Sequence, residues 1–211
     1  MKTILVLSLL AGTVALAACS GDKEAADLTK VPAVVDAEAV AAVALDGTPV
    51  ELAGITFTPP TIWTDNGPSG MRQADYSYGP LDDDTEAAGV AVFYFGPDSG
   101  GGVDANIKRW LGQMWVPESD PETAATRAKV IVNDMTVHTV QLLGTYNAGM
   151  AGPMSGGKTV PKENYLLSGA VLEGPQGLVF FKLTGPVHTA EKMNIALTAM
   201  LQGVTLTDQT H

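Results

Sequence analysis

A single cysteine, Cys19, is all the thiol that this 211-residue chain contains. One cysteine excludes an intrachain disulfide and any multi-thiolate metal centre, so stability has to come from a packed core. Histidine is nearly as scarce. His138, His188 and His211 share no metal-ligand spacing, and no G-x-S-x-G elbow offers a nucleophile to a histidine base. Positive charge is also short, with 12 Lys and Arg against 23 Asp and Glu and a formal net charge of −11. A surface of that sign repels phosphates instead of displacing their counterions, which argues against nucleic acid as a partner. The apolar run Ile4 to Ala18 falls short of the ~20 residues needed to span a bilayer.

That run has instead the build of a signal h-region. Lys2 supplies a positive n-region, and Leu16-Ala17-Ala18-Cys19 sets small residues before the thiol. The segment resembles the lipobox of bacterial lipoproteins, in which the cysteine sulfur receives a diacylglycerol before the signal peptide is cleaved. The resemblance implies that residues 1–18 are a lipoprotein signal peptide. It implies too that lipidated Cys19 tethers the chain to the cell-envelope membrane, facing away from the cytoplasm. Two or more acyl chains make such an anchor stable where one does not. Ser20 stands where lipoproteins kept at the inner membrane carry aspartate, which implies the periplasmic face of the outer membrane in a Gram-negative cell. Loss of Lys2 with the signal leaves the mature chain one unit more negative, and this keeps it off anionic head groups.

Residues 19–47 read as the lipidated N-terminus and a flexible tether, rich in Ala, Val, Asp and Glu and free of aromatics. Within them Val34 to Leu45 fits either a short helix or a first strand. Asp46-Gly47 reads as a hairpin turn, and residues 48–211 as one domain. Strand-like runs follow at Val50–Thr58, Met71–Tyr78 and Gly89–Phe95. The run from Val90 to Phe95 is apolar at every position, which predicts a central strand covered on both faces. From Val103 to Met114, the spacing of Val103, Ile107, Trp110, Leu111 and Met114 predicts an amphipathic helix, stopped by Val116-Pro117. Strands are expected at Lys129–Val132, Thr136–Tyr146, Tyr165–Leu172 and Leu178–Leu183. Asn133-Asp134 turns the first pair, and Gly174-Pro175-Gln176-Gly177 links the second. A last helix runs from Thr189 or Ala190 to Gln202 with Gly203 as its cap, and Val204 to Leu206 has strand character.

Short turns between strands imply antiparallel pairing, and helices with narrow apolar stripes imply packing on the sheet. The expected fold is α+β, an antiparallel β-sheet of about six or seven strands with two packed helices. The stretches "GITFTPPTIW", "RQADYSY", "VFYFGPDSGGGVDANIKRWLGQM" and "GLVFFKLTGP" resemble a group of uncharacterised bacterial lipoproteins. The element order, with proline then tryptophan after the first strand, is similar to the PsbP-like fold. PsbP-like proteins are mostly non-enzymatic subunits of larger assemblies, so the likeness implies a binding role.

The residues themselves point to little chemistry. Gly152 to Thr159 matches G-x-x-x-x-G-K-[ST], but a phosphate loop needs a helix after the Lys-Thr. Val160-Pro161 and a strand-like run follow instead, so no nucleotide is expected. Asp82 to Glu86 lacks the spacing and glycine of a calcium loop, so no metal and no cofactor is expected, and no catalytic residue is assigned. Trp63, Trp115, Met150 and Met154 lie in loops, where aromatic and thioether side chains suit partner binding; a core-covering Trp63 is the competing reading. The function expected is a membrane-anchored, non-catalytic envelope lipoprotein that binds a protein partner or supports an assembly. The alternative is a small-molecule or metal binder, or a weak hydrolase, using a cleft near residues 149–158 and His138. Replacing Cys19 by alanine should release the protein from the membrane fraction or leave it unprocessed. A correctly cleaved Cys19→Ala chain that stays as membrane-bound as wild type overturns the anchor.

Overall fold

In a computed structural model, residues 35–149 and 159–207 are described. Cys19, Met150, Met154, His211 and the body of the Gly152–Thr159 motif lie outside them. The chain orders as α1 (Ala37–Ala41), β1 (Val50–Leu52), β2 (Ile55–Phe57), β3 (Thr64–Asp65), β4 (Arg72–Tyr78), β5 (Ala88–Tyr94) and α2 (Val103–Leu111). There follow β6 (Met114–Trp115), α3 (Pro121–Ala124), β7 (Thr126–Val132), β8 (Met135–Gly149), β9 (Thr159–Gly174), β10 (Gly177–Pro186), α4 (Val187–Gln202) and β11 (Thr205–Leu206). The architecture is α+β and its strand pairs are antiparallel.

An eight-stranded sheet runs β3-β4-β5-β10-β9-β8-β6, with β7 on the first half of β8, and a three-stranded sheet runs β1-β2-β11. The strands beyond the expected six or seven include two-residue segments, too short to carry any alternation. The expected single strand Val50–Thr58 is a hairpin, because Ala53 and Gly54 take φ of 53° and 80° and reverse the chain. Asp46-Gly47 is not the turn. Asp46 accepts the Thr61 amide at 2.8 Å and Gly47 donates to the Pro59 carbonyl at 2.9 Å, pinning this stretch to the proline turn.

Alternation along the strands gives the large sheet two apolar faces. Val90, Val92, Leu172, Phe181 and Leu183 point to one, where α4 lays down Met193, Leu197 and Met200. Val140, Leu142, Leu167, Val171 and Phe180 point to the other, under the Ile107, Trp110 and Leu111 stripe of α2. The α2 helix ends at Leu111, since the Gly112 amide closes the last turn on the Lys108 carbonyl at 2.9 Å. Met114, expected on the helix, opens β6 instead, pairs with Tyr146 of β8 and stays buried. Expected inside the tether, Val43 and Leu45 pack on the α4-side core and Val40 is buried, so folded structure starts before residue 48.

The α4 helix begins at Val187, two residues ahead of the earliest expected start. It has no side-chain cap of its own. Asp84 serves from a distance, accepting from the Thr189 amide and hydroxyl at 2.7 Å each, while Thr189 Oγ1 takes the Leu81 amide at 3.0 Å. A carboxylate there satisfies orphan donors and complements the helix dipole. Within the acidic run Asp82 to Glu86, Asp84 is thus a structural tie.

Trp110 sits over Gly169, where an added Cβ would overlap its ring, and meets Phe180 edge-on at 6.4 Å. Trp110→Ala should cost about 3–5 kcal/mol, the usual loss for a buried large aromatic. Chemical unfolding measures it, and a loss below about 1 kcal/mol contradicts this packing.

Candidate functional site

The α2 helix covers only part of its face of the sheet. Beyond it, Phe93 of β5 and Phe95 just after the strand face a half-open groove of about 720 Å³, lined also by Phe180, Trp110, Lys182 and Arg109. Expected two-sided cover on the Val90–Phe95 run is therefore incomplete: Val90 and Val92 are buried, while Phe93 and Phe95 are only half-buried. The reason is reach, since α2 ends over β8 to β10. The groove floor is aromatic. Phe93 and Phe95 stack at 6.1 Å with an interplanar angle of 15°, and Phe95 leans on Phe180 at 5.7 Å.

One wall is built by Asn106, fully buried on α2. Its Nδ2 donates to the Gly100 carbonyl at 2.8 Å and the Gly102 carbonyl at 2.9 Å, tying the glycine loop to the helix. Its Oδ1 accepts from Arg109 Nη2 and so orients that guanidinium. Opposite, Lys182 extends from β10 and donates to Gln113 Oε1 and, at 3.4 Å, to the Tyr146 hydroxyl. The Lys182 ammonium also lies over the Tyr146 ring, 5.3 Å from its centre. Among the described residues neither Lys182 nor Arg109 pairs with a carboxylate, whereas Arg72 pairs with Asp75. Burial pushes the Lys182 ammonium down to about 8, helped by the fields of Arg109 and Arg72.

The sequence-predicted residues are scattered. Trp63 is a correction: it is only 5% exposed and packs on Tyr76 at 5.7 Å, so it offers nothing to a partner. Its amide bonds back to the Pro60 carbonyl at 3.2 Å, which folds the ring under the proline turn onto the core. Trp115 is 55% exposed, at the mouth of a second cleft of about 570 Å³ floored by Val116, Leu142 and Leu143 and rimmed by Glu118 and Glu163. His138 lies on the α2 face with its Nε2 2.7 Å from Glu173 Oε1, and it lines neither cleft. His138 and Gly149 stand near opposite ends of β8, roughly 35 Å apart at about 3.3 Å per residue. The strand therefore does not bring them into a common cleft. Thr159 opens β9, so no helix follows the Gly-Lys-Thr motif. Glu86 of the acidic run receives hydrogen bonds from Lys162 and, at 3.0 Å, from Tyr165, and these hold its carboxyl below the usual range.

Sequence reasoning missed Phe93, Phe95, Arg109, Gln113 and Lys182. One signal was there: Lys182 interrupts the otherwise apolar run Leu178 to Leu183. No protein-family model matches the chain, and no curated protein matches it significantly. A lysine whose pKa falls on folding holds its proton less tightly than in the unfolded chain. Lys182 should therefore add stability as pH rises from about 8 toward its ordinary 10.5. Its side-chain NMR signals should titrate with a midpoint near 8, and a midpoint above 10 contradicts the burial described.

Proposed function

We propose that this protein is a non-catalytic lipoprotein of the bacterial cell envelope, tethered through Cys19, whose domain docks a protein partner at the Trp115 cleft. The single observation that carries the docking site is Trp115 itself: 55% exposed, while Trp63 and Trp110 are 5% and 4% exposed. A large aromatic left in solvent beside an apolar floor has the makeup of an interface anchor. Glu118 and Glu163 on the rim favour a partner loop with an apolar tip and basic flanks. The lipobox-like Leu16–Cys19 supports the tether, and the PsbP-like order of strands and helices supports an assembly role over catalysis. The acidic chain argues against a nucleic-acid partner.

A photo-crosslinking residue placed at position 115 in cells tests this reading. It should give one defined protein adduct, and the same probe at Leu206, 54% exposed on the small sheet, should not. Trp115→Ala should abolish copurification of that protein while changing stability by no more than about 0.5 kcal/mol, as for an ordinary surface site. Equal adducts at both positions, or none at 115, overturn the docking site.

A further inference from the structure

We infer that the groove between α2 and β5 is a binding site for a small organic anion with an apolar body, its acid group held by Lys182 and Arg109 and its body by Phe93 and Phe95.

Three independent features lead there. The first is charge placement. A chain of net charge −11 sets two cations in one groove and gives neither a carboxylate among the described residues. Half-buried Lys182 would ordinarily be paired, because leaving water is costly without a counter-charge, and exposed Arg109 adds a second positive charge beside it. Here the partners are neutral, Gln113 and Tyr146 for Lys182 and Asn106 for Arg109. They fix where the charges sit and leave the neutralising role to an incoming anion.

The second is the floor. Half-buried stacked phenyl rings beside fixed cations provide apolar contact and orientation together, the usual division of labour in ligand pockets. About 720 Å³ lies within the range of small-molecule sites. The third is the wall. Asn106 is fully buried and uses both ends of its amide, one on the glycine loop and one on Arg109. The first ties the loop to the helix; the second sets the Arg109 charge in place. This site stands apart from the Trp115 cleft, and the failure of either leaves the other intact.

The acid group fits a carboxylate or sulfonate, and the body fits either an acyl chain or an aryl ring. The Cys19→Ala chain, which carries no acyl anchor, can be titrated in detergent-free buffer with decanoate and with 2-naphthoate, each beside its neutral alcohol, and followed by calorimetry. At least one acid should bind saturably and about tenfold or more tighter than its alcohol, since charge-assisted hydrogen bonds supply the difference. Lys182→Met and Arg109→Gln should each weaken the acid by about ten- to hundredfold and leave the alcohol unchanged. Phe93→Ala should weaken acid and alcohol alike. In the Cys19→Ala chain with its groove unchanged, bound acid should raise the midpoint of the Lys182 NMR titration, a readout that needs no groove variant to fold. Preference for decanoate assigns an acyl source and preference for 2-naphthoate an aryl one; either supports the site. Equal binding of acid and alcohol, no saturable binding of either acid at millimolar concentration, or full affinity in both charge variants overturns it.

Discussion

The structure hangs on β10 and on the opposite directions taken by its neighbours Phe180 and Phe181. Both rings are essentially inaccessible, at 1% and 0%. Phe181 meets Phe57 edge-on at 5.4 Å and joins the small sheet to the α4-side core. Phe180 meets Trp110 and Phe95 and centres the α2-side core. Because β10 pairs along its length with β9 and, over Val179–Thr184, with β5, a one-residue slip would exchange the two rings between cores. Register and two-sided packing therefore enforce each other.

Lys182 follows directly from that arrangement. The parity that sends Phe180 toward α2 sends Lys182 the same way, two residues on. The helix has ended there, and the space over β5 stays half open. A lysine under full helix cover would have to lose its charge or find a carboxylate. At the margin of cover it keeps a weakened ammonium, held by an amide oxygen and a phenol. The groove, its aromatic floor and its cations are thus consequences of one short helix lying on a wider sheet.

The other face is closed by longer-range ties. The α4 helix starts on a proline and draws its cap from Asp84, more than a hundred residues earlier in the chain. The Glu86 contacts to Lys162 and Tyr165 fasten the same loop to β9. Two members of one acidic run thereby anchor the entry to α4 and the flank of the sheet.

The sequence by itself determined the α+β class, the antiparallel pairing, the Asn133-Asp134 turn and the core stripes of α2 and α4. Each depends on neighbours within a few residues: period-2 or helical spacing, positive φ, short links. It also carried the lipobox-like signal, a purely local pattern. Tertiary structure alone decided which apolar runs were covered on both faces, because cover depends on where a distant helix stops. It decided that Trp63 turns inward while Trp115 stays out, since Trp63 stands in a turn and Trp115 in a two-residue strand too short for any period to give its direction. It also brought Lys182, Arg109 and Gln113 to one groove from β10, α2 and the link after it. Local pattern cannot join residues some seventy positions apart; only sheet register and helix placement do.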